Sequence, residues 1–397
     1  VTEAHNTSHV EKRFQIIGAV LLIAGLALVG AGFSQGGMEG LAKSYLYGWV
    51  MMMSIVFGCF SLSLLFHITR GRWGTPLLRI FEAGGGPVAI GLCLVAFLPI
   101  AFVFKDTLYH GWLHPEPHDL VVARKSHFLN YPVFLASTIG THLVFMWMAA
   151  LLQKWTKLEE KTGDKVYSDR RNNFASPFLV VYFLLYTFFI THIIMSLDPH
   201  WYSTIFPSIF AVANALFAFA FAVVVVTSNR NKDPFQKVAG DELFMKDFAN
   251  MLLMLTMVWT YFTFSQLLII WSGNLPSLTS YYRARMTGNY GVLGFFQLAF
   301  NFAAPFIALL NVFLKRKPAY AMLVAGFIVL FRFTDLHYVV IPFLRSELSL
   351  QLADAGVALA LLGAWGIQFA KVYKSAKPIV ASHPYQTFTP SEAPAHA

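Results

Sequence analysis

Ten stretches of predominantly apolar residues punctuate this chain, near 14–33, 46–67, 87–104, 131–152, 176–197, 204–227, 247–272, 291–314, 319–343 and 350–373. A helix needs about 20 such residues to cross the hydrocarbon core of a bilayer. The pattern therefore predicts an all-α integral membrane protein: one transmembrane domain over 1–374, followed by a polar tail, 375–397, of Pro, Ser, Thr and Ala without periodicity. No cleavable signal pattern is expected, because the first run is too long and no small-residue site follows it. No fixed-period repeat is visible, although a duplication of four-helix units can outlive sequence similarity.

Composition agrees: 57% of residues are hydrophobic and only 12% charged, whereas soluble domains carry roughly 25% charge. The net charge of +9 would point to nucleic acid in a soluble chain. Here its distribution explains it, and no nucleic-acid partner is expected. The N-terminus, the loops after spans two, four, six and eight, and the tail hold 21 Lys and Arg; the opposite loops hold seven, and Arg332 lies within a span. By the positive-inside rule the first set is cytoplasmic, with both termini inside.

Polar residues inside spans are costly and so informative. In span nine, Arg332 and Asp335 share a helix face, either as an ion pair that offsets its own burial or as a proton-carrying carboxylate tuned by an arginine. His337 projects elsewhere, nearer the outer surface with Tyr338. Span seven carries Thr256, Thr260 and Thr263 along roughly one face, bordered by Gln266; span eight carries Gln297, Asn301 and Pro305 at spacing four. Pro305 leaves the carbonyl of Asn301 free. The two stripes form either a proton wire or ordinary helix glue. The turn after span five brings His192, Asp198 and His200 to the outer interface, beside the aromatic anchors Trp201 and Tyr202.

Cys59 and Cys93 fall inside spans, which excludes a disulfide framework, a Cys-ligated cluster and c-type haem. A bis-histidine b-haem wants His pairs at matching depths on facing helices. His142 lies mid-span in span four, His192 lies near the end of span five, and no second helix repeats the His127–His142 spacing. No metal is expected in this chain. The long outer loop 105–130 holds His110, His114, Glu116, His118 and Asp119; Pro115 and Pro117 extend it, and it reads as a docking loop rather than a metal site.

Two segments carry a family resemblance: S-L-D-P-H-W-Y-S-T-I-F (196–206) and W-T-Y-F-T-F-S-Q-L-L-I-I-W-S-G-N-L-P (259–276). Supporting motifs are R-I-F-E-A (79–83), K-S-H-F-L-N-Y-P-V-F (125–134) and D-L-H-Y-V-V-I-P (335–342). Together they resemble the second quinone-binding subunit of alternative complex III, of the NrfD or polysulphide-reductase membrane-anchor type. The chain departs from that pattern at Ser137, where an Arg is expected, and at His337 and Tyr338, where bulky aromatics are common.

The resemblance implies ten helices, with spans two to five and six to nine forming two four-helix bundles and the terminal spans outside them. It implies a bacterial cytoplasmic membrane and a complex that oxidises quinol, such as menaquinol. Its partners would be a similar NrfD-like membrane subunit, a large iron–sulfur, molybdopterin-like periplasmic subunit, and multihaem and monohaem cytochrome c subunits, the haem c and iron–sulfur clusters lying in those partners. The family's quinol site is usually placed in the sister subunit, leaving this one a proton path and scaffold. That path would run from Arg79 and Glu82 at the inner entrance through His142 to His192, Asp198, Arg332, Asp335 and His337. Two other readings stand beside it: quinol bound here near His192, His200 or Asp335, and a secondary transporter that uses the intramembrane charges.

Overall fold

The computed structural model describes residues 8–232 and 235–374. The expected tail, 375–397, lies outside them. Among the described residues the chain is helical, without strands, and nine helices are long and apolar enough to cross a membrane.

The first of these, α1 (Ser8–Thr69), is folded in two. Gly37 adopts φ 57°, ψ −154°, a conformation open in practice only to glycine. The two arms, 8–36 and 38–69, then run back along the last helix, α10 (Leu352–Lys374). Gly18, Gly32, Gly40 and Gly48 approach Gly363, Ala353, Gln351 and Val357 in turn, so one arm is antiparallel to α10 and the other parallel. With the arms counted separately, the described chain makes ten crossings.

The remaining long elements are α2 (Leu78–Phe102), α3 (Tyr131–Thr162), α4 (Val166–Ile193), α5 (Phe206–Ser228), α6 (Glu242–Gly273), a shorter α7 (Pro276–Met286), α8 (Gly288–Leu310) and α9 (Pro318–Val340). Local sequence sets their ends. Asn130 accepts from Val133 N at 3.0 Å to start α3, and Gly163 at φ 72° stops it. Asp241 caps α6 through Leu243 N at 2.7 Å. In α8 one π-helical turn spans Gln297–Ala303. Pro305 follows two residues on, with no N–H and a ring that would clash with the preceding turn.

Two four-helix rings result. The second arm of α1 packs on α2, α2 on α3, α3 on α4, and α4 back on the arm; α5 packs on α6, α6 on α8, α8 on α9, and α9 back on α5. The halves join where the second arm meets α5, at Gly58, whose missing side chain lets the carbonyl of Asn214 approach. This is the expected architecture, with the first arm and α10 outside the rings.

The connections sort into two ends. Arg70–Asp169 and Arg72–Asp247, each at 2.8 Å, and Arg316–Glu242 at 3.4 Å tie together the Lys/Arg-rich loops. At the opposite end Lys125 donates to the Pro199 carbonyl at 2.5 Å, and the Trp201 ring stacks on Tyr281 at 4.4 Å.

Candidate functional site

The second ring encloses a cavity of about 570 Å³, within the range of small-molecule sites. Its walls are aromatic, from Phe206 and Phe210 on α5, Trp259 on α6, Tyr281 on α7 and Phe295 on α8. The short α7 lies at one end of it. Phe264, Phe295 and Leu298, which also line it, are exposed on the outside of the ring, so the lip of the cavity faces the surface that lipid covers.

Polar groups are few and grouped. Arg332 and Asp335, one helical turn apart on α9, are both buried and form an ion pair. The same guanidinium donates to Asn214 Oδ1 on α5 at 2.8 Å and reaches Ser54 Oγ on the second arm at 3.5 Å. Asn214 Nδ2 in turn donates to the Tyr186 hydroxyl on α4 at 2.7 Å. Arg332 is thus held from its own helix and from the seam between the rings, and it fixes Asp335 at the cavity wall. Behind them a second pocket of about 20 Å³ touches Arg332, Asp335 and Asn301, room for one water with polar partners.

Arg285 closes the α7 side. It is 1% exposed, donates to the carbonyls of Tyr281 at 2.9 Å and Val339 at 2.6 Å, and lies 3.6 Å from the Tyr281 ring centre and 4.3 Å from that of Phe343. Burial pushes its pKa down from the ordinary arginine value.

The other expected residues fall in different places. Thr256, Thr260 and Thr263 each donate, at 2.8 Å, to a carbonyl of their own helix one turn back, the local bond usual for a helical threonine. Thr260, Thr263 and Gln266 line the cavity, and Gln266 accepts from Ser203 at 3.2 Å. Asn301 donates to Gln297, which also lines the cavity.

His142 is fully buried among Trp49, Phe57 and Phe189, with Nδ1 2.8 Å from the Thr138 carbonyl. It belongs to the first ring and does not line the cavity. His192 is also buried, with Ser137 Oγ and the Phe188 carbonyl about Nδ1 at 3.0 and 2.9 Å and the Phe128 carbonyl 3.2 Å from Nε2. His337 projects elsewhere from the pair, as expected. It is buried on the face of α9 away from the cavity, 3.7 Å from Asp354 on α10. Asp354 is held by Arg345 at 2.7 Å and Ser44 at 2.6 Å, so His337 belongs to the seam between α9 and the outer helices.

Arg79 is ion-paired to Glu82 and Glu160, with Thr156 donating to Glu82 at 2.9 Å; Arg171 pairs with Glu159 nearby in sequence. This buried charge cluster lies at the Lys/Arg-rich end, away from the cavity. At the other end His200 meets Asp119 at 2.8 Å and Asp198 at 4.0 Å. The amide of Val122, with His200 and the Val121 amide, holds Asp119 below the usual carboxylate range. His200 is half-exposed and the two carboxylates are partly covered; all three sit outside the cavity.

Among the described residues no three His, Cys, Asp or Glu side chains converge as a metal site, and both cysteines are free and buried. Asn214, Tyr186 and Arg285 join the expected residues at the site. A lone amide in the apolar run of α5 is a visible signal in the sequence, whereas Arg285 reads as ordinary loop charge. No protein-family model and no curated protein matches this chain.

Proposed function

We propose that this chain is a membrane subunit of a quinol-oxidising complex of the alternative complex III type, and that it takes the quinol head group into the cavity of its second ring. The observation that carries the reading is a cavity with aromatic walls and a lipid-facing lip, with one arginine-held carboxylate in its wall. A quinol arrives from the bilayer, so a lateral apolar entrance suits it; a transporter's substrate enters from water. Aromatic walls clamp a planar ring by offset and edge contacts.

Asp335, as an ionised carboxylate, is acceptor-only and takes the proton from a ring hydroxyl. Arg332 keeps it in place, with Asn214 and Ser54 preventing rotation. Two electrons and two protons leave each quinol. The electrons pass to haem c and iron–sulfur centres in partner subunits; Asp335 takes one proton, and water at the Arg285 end of the cavity takes the other. In this reading the chain binds quinol itself rather than leaving that task to its sister, and His192, His200 and Asp198 have structural or docking roles.

The test is made on the complex purified from its native membrane. Extraction should yield quinone in stoichiometric amount, and Asp335→Asn should keep the bound quinone while slowing quinol oxidation by about 100-fold or more, the usual worth of a positioned proton acceptor. Unchanged turnover in Asp335→Asn, or a preparation without quinone or chromophore, would sink the reading.

A further inference from the structure

The cavity carries one positive charge more than proton transfer to Asp335 requires. Arg332 and Asp335 neutralise each other. Arg285 has no such partner: among the described residues no carboxylate lies within ion-pair distance of it, and its charged and titratable neighbours are Tyr281, Tyr282, Tyr290 and Tyr338. Two of its five N–H groups are accounted for by backbone carbonyls. Nε has no acceptor although it is buried, and the side chain lines the cavity. Carbonyls satisfy hydrogen bonds but do not cancel a charge, and a buried guanidinium without a counter-ion is costly. Stacking on Tyr281 and Phe343 orients the planar group and recovers part of that cost.

We propose that Arg285 is the anion anchor of the cavity, its uncompensated charge favouring a negatively charged ring oxygen, so that the site prefers acidic hydroxyquinones and deprotonated quinols to neutral quinones of the same shape. The proposal rests on the quinol reading and adds the charge state of the occupant. It gives the two ends of the ring separate partners: one oxygen faces Asp335, which removes a proton, and the other, having given its proton to water, is stabilised as an anion by the charge of Arg285. Arg285 acts through its charge and performs no proton transfer.

Two nearly isosteric probes separate the effects: a prenylated hydroxynaphthoquinone, which is an anion at neutral pH, and its counterpart with methyl in place of the hydroxyl. Binding of each to the purified complex, stripped of endogenous quinone, is measured by tryptophan quenching. The wild type should hold the hydroxy probe at least about tenfold more tightly, as expected where a buried charge gains its missing counter-ion. That preference should fade as pH falls below the probe's own pKa. Arg285→Gln should erase the preference while the methyl probe binds nearly as before, and Arg285→Lys should restore part of it. A merely structural arginine would change both affinities together or neither.

Equal binding of the two probes by the wild type, or a preference that survives Arg285→Gln, overturns the anchor and leaves the quinol site standing. If neither probe binds, the quinol reading fails as well. Should Arg285→Gln not assemble, the wild-type pH dependence decides alone: no loss of preference on protonating the probe refutes the proposal.

Discussion

At the scale of single residues, the seam between the two rings hangs on one amide. Asn214 gives its oxygen to Arg332 and its nitrogen to the Tyr186 hydroxyl, so it uses both functions of the side chain on groups that have no water to turn to. Asn214→Ala removes an acceptor from a buried guanidinium and a donor from a buried phenol, and leaving such groups unpaired costs about 1–3 kcal/mol. The expected outcome is a lowered thermal unfolding midpoint in detergent and looser placement of Asp335, so quinol oxidation should fall with stability. If the variant melts like the wild type, Arg332 is held by Asp335 alone. The pair Arg332–Asp335 was legible in the sequence because charge inside an apolar run is expensive wherever it occurs. Arg285 was not, because it lies outside the apolar runs, where charge is ordinary. Its burial comes from the packing of α7, and no local pattern records that.

Individual elements follow the same rule. Ten crossings could be read directly, since each must be long and apolar for its own sake, and the grouping of loops by charge matched the two ends that the inter-loop contacts define. The hairpin at Gly37 and the clasp of α1 around α10 were less visible, because hydrophobicity does not tell one lipid-soluble helix face from another. Small residues make that distinction. Gly18, Gly25 and Gly32 recur every seven residues on the first arm and face Gly363, Ala360 and Ala353 at backbone contact. A side chain at Gly25 would collide with the backbone of α10 at Gly356 and Ala360. Gly25→Leu should therefore pry the first arm away while leaving both rings intact. A cysteine pair placed across the first arm and α10 should cross-link readily in the wild-type background and poorly in the variant, with probe binding in the cavity unchanged. Loss of the cavity's binding in that variant would mean that the clasp holds the second ring as well.

For the whole molecule, the quinol reading depends on which end faces which compartment. The cavity, α7 and Arg285 lie at the end of the loop 105–130 and the 198–205 turn, the end poor in Lys and Arg; electron acceptors of the kind the resemblance implies would sit outside the cytoplasm. The positive-inside rule puts the loop around Lys165 in the cytoplasm and that around Glu116 outside. Both side chains are exposed. Cys59 and Cys93 are both fully buried, so the native chain gives no background to a thiol reagent. Lys165→Cys should react with a membrane-impermeant maleimide only after the cells are opened, and Glu116→Cys should react in intact cells. The charge bias survives the first substitution, because the segment 154–171 keeps five of its six basic residues. The reverse pattern would turn the cavity end toward the cytoplasm. A proton taken by Asp335 would then be released on the wrong side for coupling, and the docking surface for extracytoplasmic carriers would have to lie among the Lys/Arg-rich loops. One labelling experiment therefore bears on the orientation of every element and on whether Asp335 and Arg285 can serve a periplasmic electron acceptor at all.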